Sequence, residues 1–297
     1  MAKASKHSIL KHFDKDIVPK SILINAKHGI DNILAKQQEA EISFPLIAKP
    51  DVGERGKRVQ LIEDMPSIKN YINQVKEDII LQEFIDLPIE LGIMYYRYPN
   101  KSRGEISSIV KKEFLQITGD GKSTYKELFI NGKRTKFYLK QLFKQYEGRL
   151  KEVPSKDEII ILQHIGNHNK GTTFLNGNDL INDKLVQVFD NISDQQKGFF
   201  FGRYDIKVNS IQELYRGEGI KIMELNGSNS EPAHIYDPKM SLWQAYKDLA
   251  KHWDVLYKIS VMNNKNGIPY TPTFLALKEI IHYNLKKNPV IKPQKIV

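Results

Sequence analysis

Cysteine is absent from this sequence, and so is any long apolar run. Without cysteine there is neither a disulfide framework nor a thiolate metal site, which fits a reducing compartment. No window approaches the roughly 18 apolar residues of a transmembrane helix, and polar residues interrupt the apolar positions near the N-terminus, so a signal peptide is not predicted. These absences predict a cytoplasmic protein without a membrane partner.

The rest of the composition is that of a globular protein with an excess of basic residues. The 297 residues are 40% hydrophobic and 27% charged, with a formal net charge of +10. This length predicts one large domain or two closely joined ones. Basic surfaces attract nucleic acid, but the longest basic clusters, 133–136 and 285–287, are short. We interpret the charge as a solvated surface that would steer an anionic substrate, and nucleic-acid binding is disfavoured.

Apolar periodicity predicts helices and strands in a mixed order. Helices are expected at 4–16, 29–40, 66–76, 124–130, 135–153, 178–193, 239–260 and 272–286, and strands at 44–50, 58–62, 79–85, 90–98, 105–112, 204–208 and 220–225. Hairpins and helices are segregated along the chain, which predicts an α+β fold rather than a doubly wound parallel sheet.

Two details of these helices can be tested against the structure. Ser123 is expected to cap the helix at 124–130. Large apolar residues recur at helical spacing along 239–260, and their pattern predicts a face buried in the core. They are Trp243, Tyr246, Leu249, Trp253, Leu256 and Tyr257.

Oxygen-bearing side chains interrupt the two strands predicted at 204–208 and 220–225. If these strands are neighbours, Asp205, Glu224 and Asn226 would converge. Carboxylates, together with waters and substrate phosphates, are the ligands that Mg²⁺ prefers. The stretch from 202 to 237 therefore predicts a magnesium site.

A glycine-containing loop follows the strand that ends near Lys49. Gly53 and Gly56 are three residues apart in the loop 51–57, with lysines at both ends. Such glycines let backbone N–H groups approach phosphate while the ammonium groups neutralise it. The alternative is a plain hairpin turn, and the loop alone leaves both interpretations open.

Three histidines are further candidates. His164 and His168 are four residues apart, but glycine and asparagine between them disfavour a helix, so a metal pair, a substrate-facing loop and a plain loop are all open. His234 could orient Glu231, contact substrate, or make a structural hydrogen bond.

Three groups of residues, taken together, resemble the ATP-grasp superfamily. They are Lys49 with its glycine loop, Gln82–Ile85 with Glu90 after it, and Gly202–Asp205 followed by Met223–Asn226. The resemblance covers roughly 4–260 and is nearest to D-alanine–D-alanine ligases and the ATP-grasp part of cyanophycin synthetase-type ligases. It implies an ATP-grasp fold in which two α+β subdomains clamp ATP. The expected boundaries are 1–88 and 89–262, with a C-terminal helix and tail at 263–297.

The resemblance also implies roles for individual residues, with ATP and Mg²⁺ as cofactors. Phosphate contacts are expected from Lys6, Lys49 and either Lys111 or Lys112, of which Lys112 is the choice adopted here. Gly53 and Gly56 would form the lid over the phosphates, Glu83, Phe84 and Ile85 the hinge that reads adenine, and Glu90 the ribose contact. Asp205, Glu224 and Asn226 would hold Mg²⁺. Arg203 and Lys49 are the expected catalytic residues.

Proteins of this kind usually carry an N-terminal α/β domain that this chain is expected to lack. The substrate pocket would then be built from 163–174 and 227–237, or completed by a homodimer or a partner subunit. Its candidate residues are His164, His168, Ser228, Glu231 and His234.

The leading functional hypothesis is an ADP-forming carboxylate–amine ligase that acts on amino acids or peptides through an acyl phosphate. A kinase-like phosphotransferase is the alternative, and a basic nucleic-acid-binding module is the least favoured.

Overall fold

The computed structural model describes residues 5–25, 30–53, 56, 58–75, 77–278 and 281. Parts of five predictions lie outside these residues: the start of the first helix, residue 29 of the helix at 29–40, residues 54, 55 and 57 of the glycine loop, the end of the helix at 66–76, and most of the helix at 272–286 beyond 278. Among the described residues no helix has the length and apolarity needed to cross a membrane.

The strands form antiparallel sheets, which confirms the predicted α+β class. In chain order they are β1 (Ser21–Ile24), β2 (Leu46–Pro50), β3 (Gln60–Ile62), β4 (Ile79–Glu83), β5 (Ile89–Tyr96), β6 (Glu105–Glu113), β7 (Gln116–Thr118), β8 (Ile159–Ile161), β9 (Thr173–Asn176), β10 (Phe201–Val208) and β11 (Lys221–Asn226). The N-terminal sheet has the order β1-β4-β2-β3, and the larger sheet has the order β11-β10-β5-β6-β9. Strands β7 and β8 pair separately.

The helices are α1 (Lys6–Leu10), α2 (Ile30–Glu39), α3 (Met65–Gln74), α4 (Tyr125–Asn131), α5 (Leu139–Gln145), α6 (Asp183–Asp194), α7 (Ile211–Arg216) and α8 (Leu242–Lys265). Residues 273–278 are also helical. The predicted helix at 4–16 is therefore shorter than expected: α1 ends at Leu10, and a short 3₁₀ helix follows at Lys15–Ile17.

Each sheet buries one face in its own hydrophobic cluster. Helices α2 and α3 cover the N-terminal sheet, where Ile33 and Ile68 pack with Leu81. Helix α6 covers the larger sheet, where Phe189 packs with Tyr204. A third cluster joins α4 and α5 to β7 and β8.

Strand alternation turns the polar residues of both sheets away from these cores. On β10, Tyr204 and Ile206 lie in the core cluster, so Arg203 and Asp205 must lie on the opposite face. On β2, Leu46 and Ala48 lie in the core cluster, so Lys49 takes the other face. The polar side chains gather on the faces opposite these cores, and α8 covers part of that face of the larger sheet, around Met94 and Phe201.

The cap of α4 is Thr124, and the prediction that Ser123 caps this helix is wrong. Thr124 Oγ1 accepts a hydrogen bond from Glu127 N (3.3 Å), and Glu127 Oε2 accepts one from Thr124 N (2.8 Å). This reciprocal pair is a capping box. Ser123 Oγ instead donates to Asp120 in the preceding turn.

Thr124→Ala is expected to lower the free energy of unfolding by about 1 kcal/mol, because it removes the acceptor for the Glu127 amide. Ser123→Ala is the matched control and should stay within about 0.5 kcal/mol of wild type, since the Ser123 hydroxyl makes only an exposed hydrogen bond to Asp120 among the described contacts. Urea unfolding monitored by circular dichroism measures both. Equal losses in the two variants would contradict the cap assignment.

The helix predicted at 135–153 is broken into three pieces. A 3₁₀ turn at Thr135–Phe137 precedes α5, and another at Glu147–Arg149 follows it. The apolar residues are spaced at three and four, but they pack around α4 and β8 rather than along one straight axis. Periodicity could not distinguish a bent chain of short turns from one helix.

The prediction that the large apolar residues of α8 form a face buried in the core is wrong for four of them. The inner face is buried through His252, Val255 and Ile259. However, the aromatic side chains of Trp243, Tyr246, Trp253 and Tyr257 are 81%, 67%, 63% and 69% exposed. The helix is apolar on both faces, and only one face meets the described core.

Candidate active site

Asp205 is the centre of the polar face of the larger sheet. It lies directly opposite Glu224 on β11, and Arg203 lies opposite Asn226. Asp205 accepts hydrogen bonds from Arg203 Nε (3.0 Å), Arg203 Nη2 (3.1 Å) and Asn226 Nδ2 (3.0 Å). The structure thus brings together the residues whose convergence the strand pattern predicted.

A second ion pair comes from the neighbouring strands. Glu90 on β5 faces Lys112 on β6, and Lys112 Nζ lies 2.8 Å from Glu90 Oε1 and 3.3 Å from Asp205 Oδ1. Lys111 points to the other side of the sheet, where its Nζ lies 2.8 Å from Asp179 Oδ2. Of the two candidate lysines, only Lys112 belongs to the cluster around Asp205.

Lys6 reaches the same cluster from the N-terminal segment. Its Nζ lies 2.9 Å from Glu224 Oε1. The start of α1 is fixed by Asp51, whose Oδ1 accepts from Ser5 Oγ (2.9 Å) and His7 N (3.1 Å). Asp51 comes directly after β2, so the segment that carries Lys6 is attached to the start of the glycine loop.

Lys49 extends from the N-terminal sheet across to the larger one. Its Nζ donates to Gln82 Oε1 (2.9 Å) and to the carbonyl of Met223 on β11 (3.4 Å). Burial lowers the pKa of Lys49 to about 8, although Glu224 opposes that shift. Gln82 Nε2 is buried without a hydrogen-bond partner in the part of the chain described.

Asp205 and Glu224 are held in their charged forms. Burial would raise the pKa values of Asp205 and Glu224. Arg203 and Lys112 outweigh burial at Asp205, and Lys6 outweighs it at Glu224, so both pKa values are lowered. For Lys112, the carboxylates of Asp205 and Glu90 outweigh burial and raise the pKa. Four cationic side chains (Lys6, Lys49, Lys112 and Arg203) thus lie among the carboxylates of Glu90, Asp205 and Glu224. This arrangement can bind a polyanion.

The predicted adenine hinge lies beside a lysine that sequence reasoning missed. Lys207 Nζ donates to the carbonyl of Ile85 (2.8 Å) and lies 5.3 Å from the ring centroids of both Phe84 and Phe114. The Glu83 carboxylate accepts from Lys20 N (3.1 Å). The signal for Lys207 was available, because it follows Arg203 and Asp205 at alternate positions on β10.

The segment predicted to help build the substrate pocket packs against the glycine loop. Lys170 Nζ donates to the carbonyl of Val59 (2.7 Å). Gly56 has a positive φ of 64°, and a Cβ there would lie within 2.2 Å of Asn167 Nδ2. Gly166 approaches the Glu90 carboxylate so closely that a Cβ would lie 2.1 Å from its Oε1. Glu90, the expected ribose contact, is therefore covered by this segment and paired with Lys112.

The two histidines of that segment have different neighbours. The His164 ring lies 6.0 Å from Phe84, at the hinge. The His168 ring lies 5.4 Å from Phe174 and 6.0 Å from Tyr236. Among the described residues no three His, Cys, Asp or Glu side chains form a group that could hold a metal ion, at these histidines or elsewhere.

The remaining predicted substrate residues lie around the turn after β11. Ser228 is exposed, and Glu231 accepts from Arg203 Nη1 through its carbonyl (3.1 Å) and from Tyr236 Oη through its carboxylate (2.6 Å). His234 is 2% exposed, with its Nε2 3.0 Å from Asp248 Oδ2. Of the alternatives for His234, the structure shows the hydrogen bond within the protein.

The predicted magnesium ligands have suitable chemistry. Asp205 and Glu224 are ionised, adjacent and on the same face as Asn226. Their oxygens are shared with Lys6, Lys112 and Arg203 in this structure. Two carboxylates and an amide oxygen are a donor set that Mg²⁺ accepts when phosphate and water complete its shell.

Gly92 leaves the room that Asp205 and Arg203 occupy. It faces Asp205 across β5 and β10, and a Cβ at this position would lie 2.7 Å from Val110 Cγ1, 3.0 Å from Asp205 Oδ1 and 3.2 Å from Arg203 Cδ. An added methyl group must therefore push on the central ion pair or on the core.

Gly92→Ala is expected to lower the free energy of unfolding by about 1–3 kcal/mol through this overpacking. Gly148→Ala is the matched control, since a Cβ there has no heavy atom within 4 Å. Chemical denaturation of both variants measures the difference. A Gly92→Ala variant as stable as Gly148→Ala would show that the strands have more space than the structure indicates.

Comparison with known proteins gives a family match for the N-terminal part. A model of the RimK-like ATP-grasp domain matches residues 2–91, which confirms the resemblance stated from the sequence. No curated protein matches the sequence.

Several solved structures resemble the chain at low identity. D-alanine–D-alanine ligase from Bacillus anthracis complexed with ATP is 12% identical over 87% of this chain and 66% of that chain, with a TM-score of 0.45. VanG D-Ala:D-Ser ligase from Enterococcus faecalis is 14% identical over 80% and 57%, with a TM-score of 0.41. A bifunctional glutathione synthetase from Pasteurella multocida is 13% identical over 84% of this chain but 35% of its own, with a TM-score of 0.41. The chain thus spans about a third of that synthetase, and the family match covers residues 2–91.

Proposed function

We propose, on the premise of the RimK-like ATP-grasp domain matched at residues 2–91, that this protein is an ATP-dependent ligase that joins a carboxylate to an amine and forms ADP. The observation that carries the proposal is the cluster of Lys6, Lys49, Lys112 and Arg203 around Asp205 and Glu224. These side chains come from both sheets and from α1, and they meet in one place.

The chemistry of this reaction requires charge neutralisation more than a protein nucleophile. The substrate carboxylate is already ionised at neutral pH and attacks the γ-phosphorus of ATP, so that ADP leaves and an acyl phosphate forms. The amine then attacks the acyl carbon, the phosphate leaves and the amine loses a proton. Preorganised cations that face the developing charge supply most of the catalysis in such transfers.

The residues of the cluster have separable roles in this proposal. Arg203 and Lys112, which lie beside Asp205, would contact the phosphate that is transferred. Lys49 and Lys6 would hold the other phosphates from the side of the N-terminal sheet. Lys207, Phe84 and Ile85 would form the nucleobase end, since an apolar wall and a backbone carbonyl lie there.

Asp205, Glu224 and Asn226 would hold Mg²⁺, which would neutralise phosphate charge when bound. The carboxylates of Asp205 and Glu224 also pair with Lys6, Lys112 and Arg203. The acceptor amine and the acyl substrate are expected near Arg203 and Glu231. The loop 227–237 and the His168 end of 163–174 meet in this region through the His168–Tyr236 contact.

Hydroxylamine trapping tests the first half-reaction without knowledge of the natural amine. Purified protein is incubated with ATP, Mg²⁺, hydroxylamine and a panel of amino acids and dipeptides, and ADP release and hydroxamate formation are measured. The expected result is ADP release together with a hydroxamate of one carboxylate. Glu224→Gln should abolish both, and Glu152→Gln, an exposed partner of Arg149 outside the cluster, should not.

The outcomes separate the alternatives. No ADP release with any carboxylate, together with unchanged ATP binding by Glu224→Gln, would show that the proposal is wrong. A stable phosphorylated product without condensation, identified by its mass, would instead favour the phosphotransferase alternative.

A further inference from the structure

An aromatic stripe runs along the outer face of α8 and is not covered by any residue that the structure describes. It consists of Trp243, Tyr246, Ala250, Trp253 and Tyr257, which follow one another at steps of three and four. The four aromatic residues are between 63% and 81% exposed. Alternating steps of three and four are the spacing of helices that pair along a seam.

The opposite face of α8 is already in use. His252, Val255 and Ile259 are buried, and the last two pack with Met94 and Phe201 of the larger sheet. The helix is therefore anchored on one side, so its aromatic side is presented on a fixed scaffold. Exposed apolar patches of this size on a fixed element mark interaction surfaces.

We propose that this stripe binds the same stripe of a second copy of the chain, with the two α8 helices antiparallel across a two-fold axis. A two-fold interface uses one surface twice, so that surface must be complementary to itself. When the helices are aligned antiparallel, Tyr246 meets Tyr257 of the partner subunit. In the same alignment Trp253 meets the small side chain at Ala250 of the partner subunit.

The flanks of the stripe are complementary in the same alignment. Lys247 and Asp254 occupy equivalent positions on one edge of the stripe, one heptad apart, and Asp254 Oδ2 also pairs with Lys258 Nζ of its own helix (2.6 Å). Antiparallel pairing places Lys247 beside Asp254 of the partner subunit, and Asp254 beside Lys247 of the partner subunit. Leu249 and Leu256 take the corresponding positions on the other edge; both are half-buried, and Leu256 also packs against the cluster that holds Met94 and Phe201. Opposite charges on one edge and leucines on the other fit a second copy better than they fit an anionic or a purely apolar surface.

The area of the stripe is sufficient for a specific dimer. An aromatic residue can bury about 150–250 Å² of its surface. The four aromatic residues of the stripe are at least about two-thirds exposed, so together they can bury about 400–800 Å² per copy. Two copies would bury about 800–1,600 Å², which reaches the range of about 1,200–2,000 Å² for stable complexes. Tryptophan and tyrosine are also the residues most enriched among those that dominate binding energy.

Sedimentation velocity over a range of protein concentrations tests the proposal on the full chain. Wild type is expected to sediment as a dimer, and Trp253→Glu as a monomer with a dissociation constant raised by about 100-fold or more. Phe137→Glu is the matched control, because Phe137 is 72% exposed but lies outside α8, and it should remain dimeric. Circular dichroism reports whether each variant is folded, and Tyr246→Lys is a second variant in the same stripe.

A charge exchange gives an independent measurement of the orientation. Lys247→Asp and Asp254→Lys should each weaken the dimer by several-fold, because each places like charges together, and the double variant should recover wild-type affinity. A dimer that persists unchanged in Trp253→Glu would overturn the proposal. A wild-type protein that is monomeric at every concentration would also overturn the proposal. This holds if residues 282–297 cover the stripe instead, and it holds if the protein binds phosphatidylglycerol vesicles in a flotation assay.

Discussion

Asp205→Asn is expected to reduce the rate of ATP-dependent product formation by about 10²–10³-fold. The carboxylate accepts from Arg203, Lys112 and Asn226 at once, so a neutral amide would remove the carboxylate that pairs with Arg203 and one of the two that pair with Lys112, the other being Glu90. Loss of one partner from a buried ion pair costs about 3–5 kcal/mol of folding free energy. Activity must therefore be measured at a temperature where circular dichroism shows that the variant is folded.

Asp194→Asn is the control for this experiment. Asp194 also pairs with an arginine, Arg97, at 2.6 Å, but its side chain is 63% exposed and it lies on α6. Exposed pairs contribute about 0–1 kcal/mol, so this variant should keep both stability and activity. If Asp205→Asn behaved like Asp194→Asn, the central position of Asp205 in the site would be refuted.

The affinity for ATP is expected to fall as the pH rises above about 8. Lys49 has a pKa lowered to about 8 by burial, so its ammonium group is charged below this pH and becomes neutral above it. A charged Lys49 favours bound phosphate, and each pH unit above the pKa should weaken binding by at most about tenfold. Isothermal titration calorimetry between about pH 6.5 and 9.5 would measure this decline, because that range lies on both sides of the pKa of Lys49 at about 8.

Lys49→Arg should remove this pH dependence, since a guanidinium group stays protonated throughout the range. Lys111→Arg is the matched control, because Lys111 lies on the other side of the sheet and pairs with Asp179. It should retain the wild-type decline. An equally steep decline in Lys49→Arg would assign the titration to another group, such as Lys207, whose pKa is also lowered by burial.

The sequence was sufficient where one strand or one pair of strands determines the outcome. Asp205 and Glu224 follow from period-two alternation in two adjacent strands, and the structure places them directly opposite each other. The α+β class followed from the order of hairpins and helices in the same way. These features depend on local pattern, which the sequence contains.

Contacts between distant segments could not be derived from the sequence. Lys49 and Gln82 are hydrogen-bonded although they are 33 residues apart, and Lys207 meets Ile85 across 122 residues. The register of β2 against β4 and the distance between the two sheets create these contacts. Neither quantity has a local signature, so alternation on β10 could place Lys207 on the polar face but could not predict its contact with Ile85, and the unpaired donor of Gln82 was not expected.

Helical periodicity misled in two places for different reasons. Along 135–153 it predicted one helix, but two 3₁₀ turns break the element around α5. Along α8 it predicted a helix correctly and placed Trp243 and Trp253 in the core wrongly. Periodicity identifies an apolar face, but it does not say whether the partner of that face belongs to the same chain.

Asp51 accepts hydrogen bonds from Ser5 and His7, on either side of Lys6, and it directly follows the strand that contains Lys49. The two lysines are far apart in the chain, yet they share this one point of attachment at the start of the glycine loop. Their positions are therefore not independent of each other. A displacement at the end of β2 would therefore be transmitted through Asp51 to the segment that carries Lys6.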